Sequence, residues 1–253
     1  MPEDFQAQQI IIIMGTIFVS YIIFGIVGFG TSLIASPILV TFMPLSKIIP
    51  ILALLDMFAA LNNIYHDGKN AQYSELKKLI PLMVIGSLIG VTVLFKTKPD
   101  ILLLALGIFA IIYGLYTLSA KHNHYSFSPS MVIPFGLTGG LCSALFGSGG
   151  FIYAIYLSNR IKSKSTFRIT QTTLLGFSTL TRVILFILLG VYSDKSLIII
   201  IIFLIPIMLC GNFLGSHINL HLTKEQFTRI INIIILISGF SLIIKYFGMI
   251  DFI

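Results

Sequence analysis

Two glycine clusters interrupt apolar segments of the sequence and create positions at which an anion could bind. The first begins at Gly28 and resumes as Thr31-Ser32, and the second begins at Gly147. A glycine costs about 1 kcal/mol relative to alanine inside a helix, so both clusters favour a break. A helix that restarts after a break presents unpaired N–H groups and a partial positive charge, which suit an anion. The predicted contacts to substrate are Gly28, Gly30, Thr31, Ser32, Gly147, Gly149 and Gly150. Close packing between helices is the alternative explanation for the glycines.

Two charged residues lie deep inside apolar segments. Arg182 occurs in GFSTLTRVILFILLG and Asp56 in IPILALLDMFAALNNIY. A charge at the centre of a membrane helix costs about 2.5–3.5 kcal/mol on insertion scales, so both side chains should face protein or water. Arg182 could bind or gate an anion, or it could be structural. Asp56 could pair with Arg182, carry a proton coupled to transport, or extend toward a cavity.

Three further residues complete the candidate site. Asn63 precedes Arg182 by the 119 residues that separate the two glycine clusters, which suggests that Asn62 and Asn63 contact the substrate from the other half of the chain. The alternative is that the asparagines mark a helix end. Pro37 removes a backbone hydrogen bond from the helix that follows the first cluster, which predicts a role in gating or in lining a cavity.

The elements that carry these residues are those of an all-α integral membrane protein. The chain has 253 residues, of which 57% are hydrophobic and 10% charged, whereas soluble domains carry about 25% charged residues. Its apolar runs reach the roughly 18–20 residues that cross a bilayer. About eight transmembrane helices are predicted, of which the first and fifth are broken. Their ranges are 9–43, 47–65, 76–95, 100–119, 129–158, 168–190, 195–217 and 225–247.

The two broken helices belong to a longer internal similarity. GFGTSLIASPIL aligns with GSGGFIYAIYL, and GSLIG aligns with GNFLG. This similarity predicts two repeated four-helix halves, 1–118 and 131–253, joined by a linker at 119–130. Many secondary transporters are duplicated in this way and bind substrate between the repeats on interrupted helices. Four crossings make the halves parallel, whereas a glycine segment that crosses and re-enters makes them inverted.

Several functions are disfavoured by the sequence. The net charge of +7 comes from basic residues scattered at the ends of apolar runs, which fits membrane topology rather than nucleic-acid binding. The sequence contains neither GxxxxGK[ST] nor HExxH, and no loop is long enough for a catalytic domain, so we predict no enzyme, no metal and no cofactor. His217 and His221 share a helical spacing but lack a third ligand.

Basic residues also indicate an orientation. With eight crossings, nine lysines and arginines fall on one side and six on the other, and the 160–168 loop alone carries four. The excess predicts that this loop is cytoplasmic and that both termini are outside.

The segments GIVGFGTSLIASPIL and GLTGGLCSALFGSGGFIYAIYL each open one of two similar halves with a glycine-rich break. In this, nearly the whole chain resembles the TauE/SafE family of membrane transporters, named for sulfite export. The resemblance implies secondary transport that exports sulfite or an organosulfonate across a prokaryotic inner membrane. Family members typically have a richer first glycine run and a proline after both breaks, whereas this chain has a proline, Pro37, after the first break only.

The residues and the resemblance agree on a small oxyanion held near the midplane by the broken-helix N-termini and Arg182, and moved by alternating access. An anion channel, or a transporter of another solute or of a cation bound by Asp56, is the alternative. The expected partners are the substrate and the lipid bilayer. A homodimer remains open, because GSLIG and GNFLG could join helices within one chain or between two.

Overall fold

The protein is all-helical in the part of the chain that the computed structural model describes, which comprises residues 7–27, 30–67, 71–119, 128–161, 163–217 and 224–250. Short 3-10 turns precede two of the helices, at Pro129–Met131 and Val191–Ser193. The helices are α1 (Ala7–Val27), α2 (Thr31–Leu39), α3 (Leu45–Asp67), α4 (Tyr73–Lys96), α5 (Pro99–Ser119), α6 (Val132–Phe146), α7 (Gly150–Arg160), α8 (Lys164–Leu188), α9 (Lys195–His217) and α10 (Lys224–Ile250).

Six of these helices, judged on the described residues, are long and apolar enough to cross a membrane: α1, α4, α5, α6 with its preceding turn, α8 and α9. Large apolar side chains remain exposed on their outer faces, such as Ile112 and Leu188, of which 63% and 77% are accessible. In a soluble protein such a surface would promote association, but lipid tails cover it in a membrane. The chain is therefore a multi-pass membrane protein.

Both long predicted segments divide at their glycines. The 9–43 segment becomes α1 and α2 around Gly30, whose φ is 95°, and the 129–158 segment becomes α6 and α7 around Gly147, whose φ is 66°. Both glycines adopt the left-handed region, which side chains with a Cβ rarely occupy. The other six predicted segments each correspond to one helix, with ends that differ by a few residues.

Glycines also allow close helix packing within the chain. A Cβ on Gly86 of α4 would collide with the Leu137 carbonyl of α6, and a Cβ on Gly215 of α9 would collide with the Ile22 carbonyl of α1. Because GSLIG and GNFLG are used in these internal contacts, they give no support to a homodimer.

Polar contacts identify which helix ends lie together. At one end of the bundle, called end 1, Lys47 at the start of α3 forms an ion pair with Asp194 just before α9, at 3.6 Å. At the opposite end, called end 2, the guanidinium of Arg160, the last residue of α7, donates to the Glu75 carboxylate near the start of α4, at 3.1 Å. Helix α3 therefore runs from end 1 to end 2, and α4 returns.

The two broken segments enter the bundle from opposite ends. Helix α6 runs alongside α4 in the same direction, as the contacts of Gly136 with Leu82 and of Gly90 with Leu141 indicate. It therefore starts at end 2, and α7 returns to end 2. Helix α1 runs alongside α9 in the same direction and starts at end 1, and α2 returns toward the start of α3 at end 1. Each pair, α1–α2 and α6–α7, is a hairpin.

Candidate functional site

A cavity of about 40 Å³ lies where the two hairpins meet. This volume exceeds the roughly 10–15 Å³ that one ordered water requires. The breaks contribute Gly30 and the run from Gly147 to Gly150, and α3 and α8 contribute Asp56 and Arg182. Two glycine clusters that are more than a hundred residues apart in the sequence, and both deeply placed charges, therefore border the same space.

The first break places the start of α2 at the cavity. Gly30 is the N-cap residue and provides no side chain to accept from the first N–H groups of α2. The Thr31 hydroxyl lines the cavity but donates to Asp56 Oδ1 at 3.0 Å. Ser32 is fully buried and is not part of the cavity lining, because its side chain packs against Gly147. The Ser32 side chain therefore forms a contact between the two breaks, and the predicted contact between Ser32 and substrate is not tested.

The second break is fixed by α8 and by its own backbone. The Gly147 N–H donates to the Ser143 carbonyl at 2.9 Å and ends α6. Helix α7 then begins at Gly150, whose carbonyl accepts from Gln171 Nε2 at 3.0 Å. Between these points Ser148 lines the cavity and is 5% exposed. Its hydroxyl has no hydrogen-bond partner in the described structure.

Asp56 and Arg182 face each other in the cavity wall. They are 5% and 2% exposed, and Asp56 Oδ2 lies 3.6 Å from Arg182 Nη2. The other carboxylate oxygen, Oδ1, accepts from the Tyr21 hydroxyl at 2.8 Å and from Thr31. Since the carboxylate balances the guanidinium, these two side chains together add no net charge to the cavity.

Arg182 also braces the second break. Its Nη1 donates to the Ser143 carbonyl at 3.2 Å, and its Nη2 donates to Thr179 Oγ1 at 3.3 Å. Its Nε is buried without a hydrogen-bond partner in the described structure. The guanidinium therefore links α8 to the end of α6 and still has a donor to offer.

Some predicted site residues are not tested by these contacts. Gly28 lies outside the described residues, and the side chains of Asn62 and Asn63 lie outside the described ones as well. Pro37 lies within α2 but does not line the cavity.

Other residues at the site were not identified from the sequence. Tyrosine and serine are common in membrane helices, so Tyr21 and Ser143 gave no signal. Thr179 differs, because it belongs to a run of hydroxyl and amide residues in α8 whose density predicts either helix–helix hydrogen bonds or a wet path, and it lines the cavity.

A second polar cluster lies at end 2. The Tyr156 hydroxyl donates to Glu75 Oε2 at 2.7 Å, alongside the ion pair between Glu75 and Arg160. Helix α7 thus connects the cavity, at Gly150, to this cluster. A movement of α7 would therefore alter both the cavity and the contacts of this polar cluster.

Comparison with known proteins gives one match. A family model described as sulfite exporter TauE/SafE matches residues 12–242, nearly the whole chain. No curated protein and no solved structure matches significantly.

Proposed function

The chain belongs to the sulfite exporter TauE/SafE family, and from that premise we propose that it is a secondary transporter that exports a small sulfur oxyanion, such as sulfite or a sulfonate. The observation that carries the proposal is the cavity bordered by the N-termini of α2 and α7 and by Arg182. Membership of this family favours a membrane transporter over an enzyme.

The chemistry of the cavity suits a compact oxyanion. Sulfite and sulfonate groups carry three oxygens that can accept from several converging donors, and the donors here are backbone N–H groups, the Ser148 hydroxyl and Arg182. Hydrogen bonds to charged groups contribute about 1.5–3 kcal/mol each, and guanidinium groups match oxyanions in geometry. A volume of about 40 Å³ corresponds to roughly three waters. This size favours an inorganic oxyanion over a sulfonate with a long chain.

The proposed mechanism is alternating access between two inverted repeats, 1–118 and 131–253. Support comes from helix packing. Helix α1 packs on α9 as its counterpart α6 packs on α4, and two helices, α3 and α5, pack on their own counterparts, α8 and α10. Exchanging α1–α5 for α6–α10 therefore reproduces the main contacts. Because the hairpins enter from opposite ends, movement of one hairpin or the other would open the cavity toward a different side.

The orientation we propose follows from the basic residues counted with these hairpins. Among the described residues, five belong to end 1 and seven to end 2, and this bias favours end 2 in the cytoplasm and the termini outside. End 1 has Lys47, Lys96, Lys98, Lys195 and Lys245. End 2 has Lys77, Lys78, Arg160, Lys164, Arg168, Lys224 and Arg229. A prokaryotic inner membrane is the location that family membership favours.

The test is sulfite efflux from proteoliposomes that contain the purified protein. We expect saturable efflux, its loss in Arg182→Gln, and near-normal efflux in Lys47→Gln. The second variant is a matched control, because it removes one basic charge from an exposed ion pair at end 1. Elution as a single species in detergent checks that both variants fold.

Other outcomes would support different functions. Unitary electrical currents with flux that does not saturate would identify a channel. Efflux that survives Arg182→Gln with an unchanged KM would refute the proposed binding site. Cation transport that is lost only in Asp56→Asn would identify a cation carrier.

A further inference from the structure

We propose that Asp56 is a proton site coupled to the anion site, so that the cavity takes up one proton with each monoanion that it binds. This inference rests on the proposed function, because it assumes that an anion enters the cavity beside Arg182. It adds the identity of a co-transported ion and of the residue that carries it.

The first argument is charge balance. At the cavity the guanidinium and the carboxylate are both almost fully buried and neutralise each other. An entering anion leaves one unmatched negative charge in a site of low polarity. Unmatched buried charges are strongly unfavourable, which is why removing one member of a buried ion pair strongly destabilises a protein. A proton on Asp56 restores neutrality.

The second argument is that no other described group can take this proton so directly. The titratable or charged groups that face the Asp56 carboxyl are Tyr21 from α1 and Arg182 from α8, and α2 contributes only the Thr31 hydroxyl. The described parts of α5, α6 and α9, which also pack near α3, direct no charged side chain toward it. Phenol and guanidinium groups in general already carry their protons at neutral pH. Asp56 is therefore the acceptor.

The third argument is the geometry of the carboxyl group. Oδ1 already accepts from Tyr21 and Thr31, whereas Oδ2 lies 3.6 Å from Arg182 Nη2. Charge-assisted hydrogen bonds usually measure about 2.7–2.9 Å, so this pair is in contact without a tight bond. A proton on Oδ2 would convert an acceptor that repels the anion into a donor, while Arg182 turns its charge toward the anion.

Proton uptake has two measurable consequences. Above the pH at which Asp56 loses its proton, affinity for a monoanion should fall about tenfold for each pH unit, because binding then requires one proton. A monoanion and its proton would also cross together without net charge. Flux in the wild type should therefore be insensitive to an imposed membrane potential, whereas flux in Asp56→Asn should depend on it.

The experiment is calorimetric titration of the full chain in detergent with methanesulfonate and thiosulfate, which do not change protonation near neutral pH. Comparing two buffers with different ionisation enthalpies gives the number of protons taken up. We expect about one for methanesulfonate in the wild type and none in Asp56→Asn, whose affinity should not vary with pH. Asparagine keeps the shape of the side chain and an oxygen for Tyr21 and Thr31.

Tyr21→Phe provides a variant that does not depend on the folding of Asp56→Asn. It removes one donor that stabilises the charged carboxylate, so the loss of binding should move to higher pH. A residue with a purely structural role would lower stability without moving this pH profile.

The outcomes separate the inference from the proposed function. Binding without proton uptake, or with the same pH profile in the wild type, Asp56→Asn and Tyr21→Phe, would overturn the proton site and leave the anion transporter standing. If neither these anions nor sulfite binds or raises the thermal stability of the wild type at any pH, the proposed function fails and the inference fails with it.

Discussion

Replacing Gly147 with alanine tests whether the two breaks meet. Gly147 has φ 66°, and a Cβ at this position would collide with the Ser32 hydroxyl and lie 3.2 Å from Arg182 Nη1. Gly30 is the matched control, because its φ is also positive, at 95°, but a Cβ there would have no neighbour within 4 Å. Both substitutions strain the backbone, and only Gly147→Ala forces the breaks apart.

The expected loss of stability follows from two contributions, the backbone strain and the overpacking. A left-handed conformation costs a residue with a Cβ about 1–2 kcal/mol, which applies to both variants. Overpacking typically adds about 1–3 kcal/mol, which applies to Gly147→Ala alone. The difference corresponds to about 2–12 °C in Tm, at roughly 2–4 °C per kcal/mol for a chain of this size.

The assay is thermal denaturation of both variants in the same detergent, together with Ser32→Gly and the double variant. Ser32→Gly removes the side chain that the new methyl group would meet, so it should recover most of the difference when combined with Gly147→Ala. Gly15→Ala, at an exposed helical glycine with open space around it, should not lower Tm. Equal Tm values for Gly147→Ala and Gly30→Ala, or no recovery in the double variant, would refute the contact between the breaks.

Three further substitutions test the packing and polar contacts of the bundle, each by thermal denaturation in detergent. Gly86→Val should lower the free energy of unfolding several times more than a typical substitution, because the new side chain would meet the backbone of α6. A decrease below about 1 kcal/mol in the free energy of unfolding would contradict this packing. Arg160→Gln should lower the Tm of the protein more than Glu75→Gln. The first substitution leaves the Glu75 carboxylate, which is 4% exposed, without its cation, whereas the second leaves a guanidinium that is 25% exposed. The opposite order of Tm values would contradict this reasoning. Tyr192→Phe should cost about 0.5–1.5 kcal/mol by removing the hydrogen bond to the Pro50 carbonyl, and an unchanged Tm would show that this bond contributes nothing.

Much of the helical arrangement could be predicted because it depends on local chemistry. Several glycines close together in an apolar run favour a break on local grounds, and Gly30 and Gly147 do adopt the left-handed conformation that glycine tolerates. Isolated glycines such as Gly86 and Gly215 continue their helices instead. The direction of the chain after each break could not be predicted. A helix as short as α2 or α7 has the same composition whether it continues across the bilayer or turns back. The direction depends on tertiary contacts such as that of Arg160 with Glu75.

The candidate site was predictable to the extent that buried charges require partners. The pairing of Asp56 with Arg182 was one of the alternatives drawn from the sequence, and the structure places the two side chains in contact. The hydrogen bonds of Tyr21 and Thr31 to Asp56 could not be predicted, since they depend on how α1, α2 and α3 converge. Ser32 was assigned to the cavity because it follows the first break, but helix geometry turns it toward Gly147.

The charge at the cavity depends more on these two side chains than on the helix dipoles. At the second break the C-terminus of α6 and the N-terminus of α7 lie within a few residues of each other, so their partial charges, about −0.5 and +0.5, largely cancel. Arg182 further reduces the partial negative charge at the C-terminus of α6, because it donates to the Ser143 carbonyl there. The breaks therefore supply directed N–H donors, whereas the balance between Arg182 and Asp56 sets the sign of the site. For this reason Arg182→Gln and Asp56→Asn should have opposite effects on anion affinity, although both remove one charge from the same cavity.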